Sequence, residues 1–183
     1  MAFDDLKSSI PDWGKDIRLN LGSLLTGTKL NEQQLWGTLL STAIASRNEV
    51  VLAAIDEDAT RTLSAEAKQA AKSAASIMSM NNIYYRTMHM LGDAEYETMS
   101  ARLRMNVIGN PGVDKADFEL WCLAVSAING CGRCLESHEK EVIAKGLTKE
   151  QVQDAVRVAS VVHAAAVTLE AEDHFYAAET VSI

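Results

Sequence analysis

The stretch NGCGRCLESHE at 129–139 sets Cys131 and Cys134 two residues apart and places His138 one helical turn beyond the second. Three uses fit such a trio: a redox centre, half of a zinc site, or a turn with two small buried residues. In the first, the sulfurs come within disulfide reach, and free amide groups in the first turn of a helix stabilise a thiolate. His138 lies four residues past Cys134 and seven past Cys131, so all three fall along one helix face. An imidazole there can accept a thiol proton or give one to a leaving group. A zinc site would need Glu119 or Cys122 as a fourth ligand, and no second cysteine pair stands elsewhere in the chain. Arg133, between the thiols, is a fixed cation of the kind that lowers a neighbouring sulfur's pKa, although it could equally be solvated.

The elements around the pair have to position it. Asn129-Gly130 supplies a turn that delivers Cys131 to a helix start, with Cys134 in the first turn. Ahead of it runs an apolar helix, DFELWCLAVSAI at 117–128, with Phe118, Trp121, Val125 and Ile128 as a core-facing stripe. Glu119 is the one charge in FELWCLAVSAI. Burying a carboxylate is costly unless it is paired or functional, and an antiparallel hairpin would carry Glu119 to the thiols. The bland reading solvates Glu119 at the helix start. Cys122 reads as a core residue, His163 as a satisfied core histidine, His89 as packing or bonding at a helix end, and His174 as tail. Met78, Met80, Met88 and Met90 read as helix packing.

The rest of the chain predicts an all-α fold. Its 183 residues are 48% hydrophobic, with 10 glycines, 2 prolines and 5% aromatics, which suits one globular domain over 1–183 built from helices. One short helix is predicted within DWGKDIRLNLGSLL. Asn31 and Gln34 form a capping-box-like pair before QQLWGTLLSTAIASRNEVVLAAI, which carries helical apolar spacing. A helix at 64–92 has a Ser64 cap and a Gly92 stop, and helical pattern fades through 104–114. CGRCLESHEKEVIAKG closes at Gly146, Thr148 with Gln151 opens the last helix, and HFYAAETVSI reads as a loose tail. QLW at 34–36 recurs as ELW at 119–121, 85 residues on, and Leu63-Ser64-x-Glu66 recurs as Leu147-Thr148-x-Glu150. This suggests two similar helical units, 31–92 without the cysteine pair and 115–172 with it.

Charge and hydropathy narrow the function classes. A formal net charge of −8 with no basic stripe repels phosphate backbones, so nucleic acid is not an expected partner. The acidic start MAFDDLKSSI does not read as a secretory signal, and no apolar run reads as long enough to cross a bilayer. A cytoplasmic protein is expected, where thiols stay reduced and a close cysteine pair points to chemistry or metal more than to a structural staple.

LRMNVIGNPGVDKADFELWCLAVSAINGCGRCLESHE closely resembles the signature region of the alkyl hydroperoxidase D family, in the carboxymuconolactone-decarboxylase-like superfamily. QQLWGTLLSTAIASRN and SMNNIYYR resemble that family too, so the likeness spans nearly the whole chain. It implies a thiol peroxidase that is also a disulfide relay. Cys134 would be the peroxidatic thiol that becomes a sulfenic acid. Cys131 would supply a proton and then form the Cys131–Cys134 disulfide, with Glu119 and His138 as proton relay. The implied electron donor is dihydrolipoamide on a lipoylated acyltransferase of a 2-oxo acid dehydrogenase complex, with no cofactor bound to the chain itself. The implied client is the peroxiredoxin alkyl hydroperoxidase C, reached through an interchain mixed disulfide at Cys134, and the implied assembly is a homotrimer. Where some members carry a histidine just before the second cysteine, this chain has Arg133, which cannot shuttle protons at neutral pH. A zinc-binding module and a lactone decarboxylase of the wider superfamily are the alternatives.

Overall fold

A computed structural model describes residues 2–181, with the backbone alone at 97 and 177–181. Ten α-helices follow in order: α1 Ala2–Ser9, α2 Lys15–Leu24, α3 Glu32–Ser46, α4 Glu49–Thr62, α5 Ala65–Leu91, α6 Ala94–Thr98, α7 Asn106–Gly109, α8 Lys115–Ile128, α9 Gly132–Ala144 and α10 Lys149–Val181. A 3₁₀ turn, Asp12–Gly14, precedes α2, and no strand occurs among the described residues. The fold is all-α.

Local chemistry sets most of the boundaries. The Asn31/Gln34 capping box is formed in both directions at the start of α3, and Asn48 caps α4 through Val51 N–H. Between them Arg47 takes the left-handed conformation, at φ 58°, and splits the run of helical spacing into two helices. Ser64 caps α5, and Gly92, at φ 67°, ends it. The Thr148 hydroxyl accepts from Gln151 N–H while the Gln151 side chain accepts from Thr148 N–H, fixing the start of α10.

Helix α8 sits in the middle. It packs against α3, α5, α9 and α10, and Ala116 to Ser126 is buried without a break. Trp121, Phe118, Leu120 and Leu123 are fully enclosed in a single hydrophobic core to which α1 through α5 and α8 through α10 all contribute. Polar pins fix its neighbours. Asp117, buried on α8, accepts from Gln33 at 2.6 Å and Gln34 at 2.8 Å on α3. Asp154 on α10 takes the Thr28 hydroxyl at 2.9 Å and Lys29 N–H at 2.6 Å, holding the segment before α3.

The tightest approach is at Gly37. A Cβ there would fall inside the Trp121 indole, whose Nε1–H is held by the Gln34 carbonyl at 3.2 Å. Overfilling so fixed a site costs upward of about 2 kcal/mol, so Gly37→Ala should lower the melting temperature by roughly 4–8 °C. An unchanged melting temperature would mean that α3 and Trp121 do not meet as described.

Three sequence expectations need correction. The N-terminal 29 residues hold two helices instead of one, because Phe3, Leu6 and Ile10 are buried and Phe3 N–H is taken at 2.9 Å by Asp58 of α4. The expected loose tail continues α10 as far as Val181, there being no Gly or Pro to stop it; residues 182–183 lie outside the described residues. Third, Lys149–Tyr176 is long and apolar enough to cross a membrane, with 56% of its most apolar window buried inside the protein, as a central core helix would be.

Candidate functional site

Helices α8 and α9 form the hairpin on which the site is built. Asn129 ends α8, and Gly130, at φ 64°, makes the turn that brings Cys131 to the N-cap of α9. The turn is tied to α5: Arg86 donates to the Asn129 carbonyl, and the Asn129 amide donates to Asn82 Oδ1 at 2.9 Å. Cys131 and Cys134 are joined as a disulfide, with Cα atoms 5.3 Å apart.

The two sulfurs stand in different surroundings. Cys131 is fully buried, and its Sγ accepts the Cys134 backbone N–H at 3.3 Å, so the sulfur itself caps the helix. Cys134 is 6% exposed and borders a cleft of about 440 Å³. Its lining combines Tyr85, Met105 and Ile108 with the ionisable side chains of Lys115, Glu119, Arg133 and His138.

Glu119 is brought to the pair by the hairpin. It is 3% exposed, with Oε2 at 2.5 Å from His138 Nδ1 and Oε1 at 2.9 Å from Lys115 Nζ. Burial pushes the Glu119 carboxyl up, but the bonds and charges of His138 and Lys115 together outweigh it, so its pKa lies below the ordinary value of 4.5. The solvated reading of Glu119 is thereby overturned. Lys115 also donates to the Ile108 carbonyl, joining the carboxylate to the α7 segment that borders the cleft. Sequence reasoning missed Lys115, although its spacing of four from Glu119 on one helix was the available signal.

His138, 8% exposed, sets its second nitrogen against a thioether: Nε2 lies 3.2 Å from the Met78 sulfur. Met78 is therefore more than packing. Met90, by contrast, is 76% exposed on α5 and so is not the buried packing residue expected of it. His163 is exposed on α10, not a core histidine, because the apolar stripe of α10 faces α2, α3 and α8 while His163 projects away from them. His89 is exposed near the end of α5, and His174 is exposed on α10. Cys122 is a free, wholly buried thiol whose pKa is raised well above 9.0 by burial and by the Glu119 charge, which leaves it inert as a nucleophile. Among the described residues no three or more His, Cys, Asp or Glu side chains converge as metal ligands.

Residues 94–173, which span the hairpin and most of α10, match the Carboxymuconolactone decarboxylase family. Across nearly the full length, the chain is 61% identical over 172 residues to the "Alkyl hydroperoxide reductase AhpD" of Streptomyces griseus, covering 94% of this chain and 97% of that protein. The chain belongs to the alkyl hydroperoxide reductase AhpD family. Two further relatives of the same name agree: one from Streptomyces coelicolor at 58% identity, covering 94% and 97% of the two chains, and one from Rhodospirillum centenum at 55%, covering 94% and 92%. The likeness to these relatives covers far more of the chain than the part that matches the decarboxylase family. The name these relatives share speaks of alkyl hydroperoxides.

Proposed function

We propose that this protein is a cysteine-based alkyl hydroperoxide reductase that cycles between a Cys131/Cys134 dithiol and the Cys131–Cys134 disulfide. One observation carries the reading most directly: of the two bonded sulfurs, it is Cys134 that borders the cleft, beside the Glu119–His138 pair. The name shared by the relatives supports the substrate class.

In the reductive half, the Cys134 thiolate attacks the outer oxygen of the hydroperoxide. The O–O bond breaks, the alkoxide leaves with a proton as alcohol, and Cys134 becomes a sulfenic acid. Cys131 then attacks that sulfur, the sulfenic oxygen departs with two protons as water, and the disulfide forms. Glu119 and His138 move the protons, as a carboxylate and an imidazole in direct contact can. Arg133 borders the same cleft and stabilises anionic sulfur there without moving protons.

The return step fits a dithiol donor, which we assign to dihydrolipoamide carried on a lipoylated acyltransferase. Its thiolate attacks Cys134, the sulfur it can reach, and displaces Cys131. The leaving Cys131 thiolate is the one already held by a helix-start N–H, and a stabilised leaving thiolate speeds exchange. The donor's second thiol then closes its own ring and releases the dithiol. The same chemistry run outward, through a mixed disulfide at Cys134, would reduce an oxidised peroxiredoxin of the alkyl hydroperoxidase C type. Assembly as a homotrimer completes the reading; Ile83, Met90 and Leu91 stand exposed near the end of α5, an apolar surface of the kind that assembly covers.

The test is a coupled assay with lipoamide, its NADH-linked dehydrogenase and an organic hydroperoxide, run with and without the peroxiredoxin. NADH should be consumed only when lipoamide and this protein are both present, and faster with the peroxiredoxin. No consumption under any combination, by protein shown to have its cysteines reduced, would overturn the reading.

A further inference from the structure

Met78 is the buried group at this site that the reaction as written does not use. It lies on α5, is 1% exposed, and does not border the cleft. Its sulfur faces polar hydrogens where a core residue would meet carbon. His138 Nε2 lies at 3.2 Å, and Asn82 Nδ2 at 3.8 Å. The Asn82 amide cannot turn away, because its Oδ1 accepts from Asn129 and its Nδ2 also donates to Ser126 Oγ at 2.8 Å. Ser126 in turn donates to the Cys122 carbonyl at 2.8 Å. The thioether is thus fixed where the polar cluster of α5 and α8 meets the imidazole of α9.

The His138 ring has one partner on each side. Glu119, a carboxylate held ionised by Lys115 and His138, can only accept, and a thioether has no proton to give. With Nδ1–H on Glu119, the Met78 sulfur is the acceptor that Nε2 faces, and neither nitrogen bonds a sulfur of the disulfide. We propose that Met78 is a positioning residue for the thiol centre: its sulfur accepts the Nε2–H of His138 and so fixes the ring with Nδ1–H on Glu119. This rests on the reading of Glu119 and His138 as the proton relay.

A thioether suits the task because it is a weak acceptor. It holds the ring while the cysteines are a neutral disulfide, yet loses to a thiolate, whose charge makes the stronger bond. Cys134 and His138 are four residues apart on one helix face, close enough for the ring to reach that sulfur by side-chain rotation alone. A leucine would fill the same space without the acceptor.

The test compares Met78→Leu and Met78→Gln with the parent protein. The apolar variant conserves volume closely enough to fold. It should lower kcat of hydroperoxide turnover about fivefold, the loss of one hydrogen bond, and leave KM unchanged, since Met78 does not touch the cleft. Met78→Gln, whose amide carbonyl can accept, should recover most of that loss. The independent reading is nitrogen NMR of the His138 ring in the disulfide form without any peroxide: the parent protein should show a slowly exchanging Nε2–H, lost in Met78→Leu. A parent protein without that protected proton overturns the proposal even if neither variant folds, and so does a Met78→Leu protein with parental kcat. Because the ring signal needs no turnover, it stands or falls separately from the peroxidase reading, which fails only if the parent protein consumes no hydroperoxide.

Discussion

Replacing Cys134 with serine should abolish hydroperoxide consumption, leaving less than about 1% of parental turnover, because a hydroxyl cannot be oxidised to the sulfenic acid on which the cycle depends. The geometry makes this variant more telling than its partner. Cys134 borders the cleft, whereas Cys131 is fully buried beneath the first turn of α9. Cys131→Ser should also lose turnover, but for a different reason: one equivalent of peroxide should still be consumed, and a sulfenic acid should accumulate at Cys134 where a selective trapping reagent can count it. Cys122→Ser should turn over nearly as the parent does, since that thiol is wholly buried and its pKa lies far above neutrality. Peroxide consumption by reduced protein, followed by mass spectrometry of the trapped cysteine, separates the three variants. An active Cys134→Ser protein would move the attack to Cys131 and overturn the assignment.

How far the site could be read in advance differs residue by residue. Cys131, Cys134 and His138 lie on one local helix, so their spacing alone sets them on a common face. Glu119 was legible for another reason: a single charge inside FELWCLAVSAI stands out against the cost of burying it. What lay beyond the sequence was contact between elements distant in the chain. Nothing in SIMSMNNIYY distinguishes Met78 from Met80, yet one sulfur meets an imidazole sixty positions away and the other does not. Asn82, Ser126 and Asn129 likewise look ordinary until α5 and α8 are packed together. Helix ends followed local rules wherever a cap or a left-handed residue was available, at Asn31, Ser64, Gly92 and Thr148. They failed at the N-terminus, where the burial of Phe3 and Leu6 against the rest of the fold decides, and at the end of α10, which lacks any stop residue.

Glu119→Gln should lower turnover by about 100-fold, the lower end of what a positioned acid–base group contributes. The substitution keeps the shape of the side chain but gives one of its two partners the wrong polarity. Lys115 and His138 both donate to Glu119, at 2.9 and 2.5 Å, and a glutamine offers them one carbonyl oxygen and one N–H₂. Either the ammonium or the ring N–H must then face another donor in a buried setting, and the ring loses the partner that orients it. Acidity supplies a second measurement. Glu119 titrates below 4.5 in the folded protein, so its ion pairs stabilise the fold above that pH, and the contribution disappears as pH falls through the lowered value. At neutral pH the parent should therefore melt above Glu119→Gln, and the gap should close on acidification as the parental carboxylate takes up its proton. Thiol reactivity in Glu119→Gln equal to the parent's would remove Glu119 from the relay. A melting gap that persists in acid would instead locate its contribution in packing rather than charge.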